Sequence, residues 1–334
     1  MSPRQGVTTR PMADDDVPAV VRLLDEALGP APGGVDRRSL FEWKHLRNPF
    51  GRSIALIAEI DGAVVGLRSF MQWRLAGVAG ARALSAVRAV DTATSPAVQR
   101  LGIFSRLAAE AVAACEAEGV SLVFNTPNDR SRPGYLKMGW KEVAVWPVWV
   151  KPRRPDRLAV AALRRDLRSG PGVEPPDTTA LVPAAEVFSS AVRAPRGVEP
   201  EVLHTPRSLE YLRWRYGESP LAYHVLSRDA ATVVTRLRAR GRLREAVVCE
   251  AFADVGAEED LRELLASLPR EAGADHAVAH LGPGWPGRSE LRPSGYRRLP
   301  RGGITFTVRP VTPSRPDPLD PASWSFALGD LEVF

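Results

Sequence analysis

The sequence predicts an α/β protein (α+β, with mixed sheets) made of two tandem domains of one fold, the second of them degenerate. A strand-like segment at residues 84–94 leads through a turn into a run of good helix formers at 105–117. Four short blocks of the first half also recur, in the same order, in the second half. The 334 residues are enough for two domains of ordinary size.

The repeated blocks start at a tryptophan. Residues 43–50 align without a gap on residues 214–221, and each block has a base after the Trp and a Pro six residues after it. Three further pairs follow in chain order: 61–68 with 229–238, 139–141 with 295–297, and 150–152 with 308–310. The order of these blocks predicts two copies of one arrangement of helices and strands.

These blocks set the expected domain bounds. We expect a catalytic domain at 1–152, a linker rich in Arg, Pro and Gly at 153–183, and a second domain at 184–310. The tail at 311–334 carries too many apolar residues for a disordered segment, so we expect it to pack back on the body.

The turn after the first strand has the features of an anion site. The start of a helix exposes backbone N–H groups that have no intrahelical partner, and their partial positive charge favours phosphate. Gly102 has no Cβ, so a pyrophosphate could approach the backbone there. Gln99 and Arg100 could add side-chain donors.

The same turn carries a resemblance. Gln99-x-x-Gly102-x-Phe104 resembles the Q/R-x-x-G-x-G/A signature of the GNAT acyl-CoA-dependent N-acyltransferases, with Pro96 three residues upstream. Phe104 departs from that pattern, although Eis-like members also carry a larger residue there. A buried strand at 119–124, an Asn, a Tyr and a Gly-Trp turn then follow in the family's order. An ordinary strand–turn–helix with one glycine in its turn would explain the turn itself but not the elements that follow it.

The resemblance implies tandem GNAT domains with acetyl-CoA, or another acyl-CoA, as co-substrate and with no metal. It also implies which residues contact the cofactor. These are Thr92, Ala93, Thr94, Gln99, Arg100, Leu101, Gly102, Ile103, Phe104, Ser105, Asn128 and Ser131. One backbone N–H of residues 92–94 would polarise the thioester carbonyl. For Asn128 the alternative is a plain helix cap.

Tyr135 is the predicted general acid. Attack of an amine on a thioester expels a thiolate, and a phenol near the sulfur can protonate it. The alternative is a core tyrosine with a satisfied hydroxyl. The general base is open between three groups: Asp91, Glu59 and the terminal carboxylate of Phe334, which is implied by resemblance to Eis-like enzymes. The alternative to a catalytic role for Phe334 is that the tail only fills a hydrophobic groove.

The second copy lacks this chemistry. Residues 254–260 replace the phosphate turn with a run that contains four carboxylates, which would repel a pyrophosphate. Leu291 stands where the first copy has Tyr135. We therefore expect a structural or acceptor-shaping domain, on the general plan that Eis-like enzymes and mycothiol synthase share.

The composition indicates which partners and which cellular compartment to expect. The net charge of +6 comes from scattered Arg mixed with acids, which argues against a nucleic-acid partner. Two cysteines form no disulfide framework, no apolar run reaches membrane-spanning length, and residues 1–10 lack the apolar core that a signal peptide has. We expect a cytoplasmic enzyme without a membrane partner; a homo-oligomer stays open.

The predicted function is transfer of an acetyl or short acyl group to an amine of a small molecule, such as an amino sugar or an antibiotic-like metabolite, bound between the copies. Two alternatives stay open: a Fem-like aminoacyl transferase that uses aminoacyl-tRNA, and a non-catalytic acyl-CoA sensor. The Fem-like enzymes would suit the basic pI of about 9.7 but would not need the phosphate turn.

Overall fold

The computed structural model describes residues 6–77, 83–164, 166, 169–176, 180–191, 202–285, 287–300 and 302–331, which form two mixed β-sheets with helices on their faces. The helices are α1 (Val17–Leu28), α2 (Arg37–His45), α3 (Ile103–Ala117), α4 (Arg132–Lys137), α5 (Pro155–Leu163), α6 (Ala184–Ser190), α7 (Leu209–Leu212), α8 (Glu258–Glu271) and α9 (Leu328–Leu331). In this part of the chain no helix combines the length and apolar character that a membrane crossing requires.

The first sheet has the strand order β1-β2-β3-β4-β5-β15-β6. Its strands are β1 (Val7–Pro11), β2 (Ile54–Ile60), β3 (Ala63–Leu75), β4 (Leu84–Thr94), β5 (Leu122–Asn125), β6 (Lys141–Trp146) and β15 (Ile304–Pro310). Strands β4 and β5 are parallel and pair over Ala86–Arg88 against Leu122–Phe124. Beyond those residues they separate, and we call the gap between their carboxyl ends the first opening.

The second sheet has the order β14-β7-β13-β12-β11-β10-β9, with β8 paired to β11. Its strands are β7 (Trp149–Pro152), β8 (Ser169–Gly172), β9 (Val182–Pro183), β10 (His224–Arg228), β11 (Ala231–Arg240), β12 (Leu243–Ala253), β13 (His276–Ala279) and β14 (Arg297–Arg298). Here β12 and β13 form the parallel pair, as β4 and β5 do in the first sheet. The predicted fold class, two mixed sheets of one plan, is confirmed.

The two halves of the chain exchange a strand. Strand β15, from the second half, lies between β5 and β6 of the first sheet. Strand β7, from the first half, lies between β13 and β14 of the second sheet. The sequence matches these two strands as repeats, and each completes the other half's sheet. The domain bounds at 152 and 310 stay a prediction, because each falls at the end of a strand, β7 or β15, that pairs in the sheet of the other half.

The repeated tryptophans meet at the centre of the molecule. Asp36 caps α2 by accepting the Ser39 backbone N–H (2.8 Å), and that helix carries Trp43 into the core. The Trp43 Nε1–H donates to the Trp214 carbonyl (2.7 Å), and the Trp214 Nε1–H donates to the Trp43 carbonyl (3.0 Å). Their rings stack at 5.0 Å. These reciprocal contacts relate the two halves by an approximate two-fold axis.

The end of the described chain packs into the same core. Trp324 and Phe326 are buried, and their rings lie 6.3 and 5.6 Å from Phe124 of the first sheet. Phe306 of the exchanged strand β15 lies 4.9 Å from Trp324. Burial of three large aromatic side chains at one place contributes several kcal/mol to stability, at about 1.5–3 kcal/mol for each fully buried ring.

Candidate active site

The predicted phosphate turn lies between β4 and α3. A short turn of 3₁₀ helix at Pro96–Val98 precedes it, and Gly102 is the N-cap of α3 with φ +81°. A backbone with positive φ favours glycine, and no atom lies within 4 Å of the position that a Cβ would take there. The fifteen-residue helix that begins here has backbone N–H groups in its first turn that lack an intrahelical partner.

A cavity of about 450 Å³ adjoins this turn. Nine of the twelve residues predicted to contact the cofactor line it: Thr92, Ala93, Thr94, Gln99, Arg100, Gly102, Ile103, Phe104 and Ser105. Ala27 and Leu28, at the end of α1, close the opposite side. The structure thus brings the strand end and the turn together at one cavity, while their contact with a cofactor stays a prediction.

The other three predicted cofactor residues lie elsewhere. Leu101 is half-buried and packs against the core under α3. The Asn128 side chain accepts the backbone N–H groups of Arg130 (3.1 Å) and Ser131 (3.0 Å). The Ser131 hydroxyl in turn donates to the Asn128 carbonyl at 3.3 Å. Asn128 thus caps the turn before α4, and the predicted contacts of these three residues with a cofactor stay predictions.

A β-bulge lies at the mouth of the first opening. The register between β3 and β4 shifts between Leu67 and Ser69, and Asp91 opposite the shift has φ +45°. Since β5 pairs with β4 only up to Arg88, it leaves residues 92–94 without a strand partner on that side. Bulges often re-aim backbone groups beside active sites. The predicted oxyanion donor among residues 92–94 therefore lies where a ligand could reach it.

Arg68, a residue that the sequence analysis did not single out, connects Tyr135 to this bulge. The Arg68 guanidinium donates from Nη1 to the Tyr135 hydroxyl (3.2 Å) and to Thr92 Oγ1 (3.0 Å). Arg68 is fully buried, and burial lowers its pKa. Its Nε and Nη2 atoms have no hydrogen-bond partner among the described residues. A buried cation is thus held against the predicted acid and the predicted oxyanion strand.

Four aromatic rings surround that guanidinium. Its central carbon lies 4.9 Å from the ring of Phe70, 5.3 Å from Phe104, 5.0 Å from Tyr135 and 5.8 Å from Trp140. Aromatic faces attract a desolvated cation by about 2 kcal/mol. The cage also gives Phe104 a role at the position where the family signature has Gly or Ala. The signal available in the sequence was a charged residue in the middle of a mainly apolar strand.

The two carboxylates considered as bases are both bound to cations. Asp91 contacts Lys44 and accepts a hydrogen bond from His45 Nε2 at 2.8 Å. Burial alone would raise the Asp91 pKa, but these two neighbours outweigh it and hold the pKa well below its usual range. Glu59 accepts from Arg10 at 2.8 and 3.1 Å at the sheet edge. The two cations beside Asp91 thus disfavour proton uptake by that carboxylate, and Glu59 is held in an ion pair with Arg10.

The end of the described chain reaches the first opening. Arg88 donates to the carbonyls of Asp330 and Leu331, and to Thr126 Oγ1 at 3.1 Å. Arg88 is also the last β4 residue that pairs with β5, so Leu331 lies where the strands separate. Phe334, the predicted source of a carboxylate base, lies outside the described residues, and its role stays a prediction.

In the second half, the tail occupies the corresponding place. The Leu328 backbone N–H donates to the His280 carbonyl (3.0 Å), and Ala327 pairs with Leu281 just beyond β13. A Cβ on Gly329 would lie 2.8 Å from the Cys249 carbonyl of β12. The tail therefore lies between the ends of β12 and β13, where the first half has its opening.

The acidic turn predicted for the second half is also present. Glu258, Glu259 and Asp260 occupy the first turn of α8, and Gly256 has φ +90° just before it. Leu291, at the position that corresponds to Tyr135, is fully buried. The described residues contain no group of three His, Cys, Asp or Glu side chains placed to hold a metal ion.

Comparisons with known proteins agree on the class. Residues 8–143 match the sequence profile of the acetyltransferase (GNAT) domain family. The fold is similar to Eis1 from Mycobacterium abscessus, with 14% identity, 91% of this chain and 73% of that chain covered, and a TM-score of 0.53. It is also similar to a probable N-acyltransferase from Enterococcus faecalis, with 13% identity, coverage of 91% and 73%, and a TM-score of 0.61.

A third similar structure is a GCN5-related N-acetyltransferase from Kribbella flavida, with 14% identity, coverage of 91% and 71%, and a TM-score of 0.56. No curated protein matches the sequence. Two sheets of one plan, each with one parallel pair of strands, match a tandem GNAT fold such as that of Eis1. Residues 8–143 carry a GNAT acetyltransferase domain.

Proposed function

We propose that this protein transfers an acetyl or short acyl group from acyl-CoA to the amine of a small molecule. The GNAT fold supports N-acyltransferase activity in general. The observation that carries the specific proposal is the convergence at the first opening. There the phosphate turn and residues 92–94 line one cavity, and Arg68 links Thr92 of that lining to the Tyr135 hydroxyl.

The cofactor would lie along this convergence. Its pyrophosphate would bind the N–H groups at Gly102 and the start of α3, where the helix dipole favours negative charge. Its thioester would lie at the bulge, where a backbone N–H of residues 92–94 stabilises the oxyanion. The cavity lining supports both placements.

The reaction proceeds by direct attack. The neutral amine nitrogen forms a bond to the thioester carbon, and the carbonyl oxygen becomes an oxyanion. When the oxyanion collapses, the carbon–sulfur bond breaks and the thiolate takes a proton from the Tyr135 hydroxyl. The amide nitrogen loses its extra proton to a base, for which the terminal carboxylate of Phe334 is our proposal.

Arg68 would prepare Tyr135 for this step. Because the guanidinium only donates, the Tyr135 oxygen accepts from it, and the phenolic proton is left for another acceptor. The same cation would stabilise the phenolate that remains after proton transfer, most strongly in a site that excludes water. The burial of both side chains supports this role.

The test is to combine acetyl-CoA with an amine panel and to follow thiol release and thermal stability. Acetyl-CoA at a hundredfold excess over its Kd should stabilise the fold by about 2.7 kcal/mol. An aminoacyl-tRNA transferase would show neither effect, and a sensor would show stabilisation without thiol release with any amine. An unchanged melting temperature in saturating acetyl-CoA would overturn the proposal.

A further inference from the structure

A second, larger cavity adjoins the first opening. Its volume is about 990 Å³, at the upper end of the range for small-molecule pockets. It is bounded by Thr126 after β5, by Leu331 of the tail, by one face of the second sheet and by α5. The exchanged strands β7 and β15 both contribute to it, so it exists only where the two halves meet.

The walls of this cavity are mainly aliphatic. They include Val150 of β7, Leu158 of α5, Val278 of β13, Ile304 of β15 and Leu328 of the tail. A surface of this kind favours apolar groups, at about 25 cal/mol for each Å² removed from water.

The charged groups of the cavity do not suit a polycation. Arg238 and Arg240 line it, together with Glu245, His276 and the exposed Asp129 at its rim. Glu245 is already engaged, because it accepts from Arg238 (2.6 Å) and contacts His276 Nε2 (2.9 Å). Burial would raise the Glu245 pKa, but His276 and Arg238 outweigh it and lower that pKa to about 2.

The cavity lies within reach of the proposed reaction. Leu331 and Thr126 line it, and both contact Arg88 on β4. Arg88 lies three residues before Asp91 at the bulge, a distance of about 10 Å along a strand. A molecule with one end in the cavity could therefore present its other end to a thioester at residues 92–94.

We infer that this cavity holds the acceptor, and that the acceptor is a hydrophobic primary amine with a single positive charge rather than a polycationic aminosugar. The inference rests on the proposed function, since it names the substrate class of the same site. The aliphatic body lies against Val150, Val278 and Ile304, and the amine points past Leu331 to the first opening.

The test measures the rate at which the thiol of CoA is released from acetyl-CoA with different amines as acceptors. We expect kcat/KM to rise from methylamine through n-hexylamine to n-octylamine, about fourfold for each methylene that becomes buried, which corresponds to about 0.8 kcal/mol. Kanamycin, a polycation, should react no faster than methylamine. An n-octylamine value no higher than that of methylamine, or a preference for kanamycin, would overturn the inference.

Cavity-filling variants locate the effect. Ala159 and Ala162 line the cavity from the exposed side of α5, so Ala159→Trp and Ala162→Trp should fold normally. Each should lower the ratio of kcat/KM for n-octylamine to that for methylamine at least about tenfold, since burial of about two methylenes is lost, and should leave acetyl-CoA stabilisation unchanged. Leu163→Trp is the matched control, because Leu163 is on the same helix, 85% exposed and outside the cavity.

Failure of the inference and failure of the proposed function give different results. If acetyl-CoA neither binds nor releases thiol with any amine, the proposed function fails. Calorimetry with n-octylamine then still decides about the cavity: binding that Ala159→Trp abolishes and Leu163→Trp preserves supports the hydrophobic amine site. Absence of n-octylamine binding to the unmodified protein overturns it.

Discussion

Tyr135 is the residue on which the proposed chemistry depends most directly. Tyr135→Phe removes the proton that the thiolate needs, so turnover should fall about 10²-fold while acetyl-CoA stabilisation stays nearly unchanged. Tyr296→Phe is a matched control, because Tyr296 is also buried and its hydroxyl has no partner among the described residues. Turnover of Tyr135→Phe within about a factor of two of the unmodified protein would make Tyr135 structural.

Arg68 should act through Tyr135, and a double-variant cycle can measure this. Arg68→Met removes the hydrogen bond to the Tyr135 hydroxyl and should lower turnover about tenfold, the value of one charge-assisted bond. The substitution also removes Nε and Nη2 of Arg68, two buried guanidinium atoms that have no hydrogen-bond partner among the described residues. The melting temperature should therefore not fall sharply.

In the Tyr135→Phe background, Arg68→Met should lower turnover little further, because the hydroxyl that Arg68 positions is already absent. Fully multiplicative effects would show that the two residues act independently.

At the scale of elements, the tail is held by a buried charge cluster. Arg207 donates to Asp330 of α9 (2.7 Å) and to Glu250 of β12 (3.1 Å), and the Tyr216 hydroxyl donates to Glu250 (2.7 Å). Two carboxylates share one guanidinium in a buried place. Burial and the charge of Asp330 raise the pKa of Glu250 to about 7, although Arg207 opposes the shift.

This raised pKa predicts a pH dependence of stability. Between pH 4.5 and about 7 the folded protein keeps a proton on Glu250 that the unfolded chain releases. The contribution of this group to the free energy of unfolding therefore falls as pH rises through that window and is constant above it, by about 1.4 kcal/mol per unit of pKa difference. Glu250→Gln should remove the dependence in denaturant melts from pH 5 to 8.

Glu245 serves as a control, because its pKa is shifted in the opposite direction to that of Glu250. Its pKa is lowered to about 2, so its contribution to stability is lost as pH falls below 4.5, and Glu245→Gln should not alter the slope between pH 5 and 8. An unchanged slope in Glu250→Gln would show that Glu250 is ionised in the fold.

The free end of the tail can be tested apart from its anchor. Arg88 and Arg207 hold residues 330 and 331, and three further residues can extend about 10 Å. A few residues added after Phe334 should leave the melting temperature unchanged but reduce turnover strongly, because an amide there cannot accept a proton. Full turnover in the extended protein would rule out the Phe334 carboxylate as base.

Local signals in the sequence predicted most elements but not all of their contacts. The strand at 84–94 and the helix after Gly102 are present as β4 and α3, because propensity, a turn glycine and an apolar pattern all agree there. The Arg68 cage was missed, since its members lie on β3, on α3, on α4 and in the turn before β6, and meet only in the tertiary fold.

At the scale of the whole molecule, the exchange of β7 and β15 could not be predicted. Residues 150–152 and 308–310 share one pattern, Val, a base and Pro, so either segment satisfies the same pairing in either sheet. Repeat matching therefore predicts two copies but not which sheet each last strand joins. The reciprocal Trp43–Trp214 contacts at the centre fit the interlocked arrangement.

The asymmetry of the two halves is a property of the whole chain. The first half keeps its opening and its phosphate turn. In the second half, α9 of the tail lies against β12, and three carboxylates occupy the first turn of α8. We therefore expect one acyl-CoA for each chain, bound by the first half.

Titration calorimetry with acetyl-CoA tests this central claim most directly. The unmodified protein should bind one acetyl-CoA per chain, and Gly102→Glu should abolish binding by placing a carboxylate at the phosphate turn. Gly256→Glu is the matched control, because Gly256 has a similar positive φ, open space around it and the corresponding position before α8. Binding that survives in Gly102→Glu, or two sites per chain, would contradict the account.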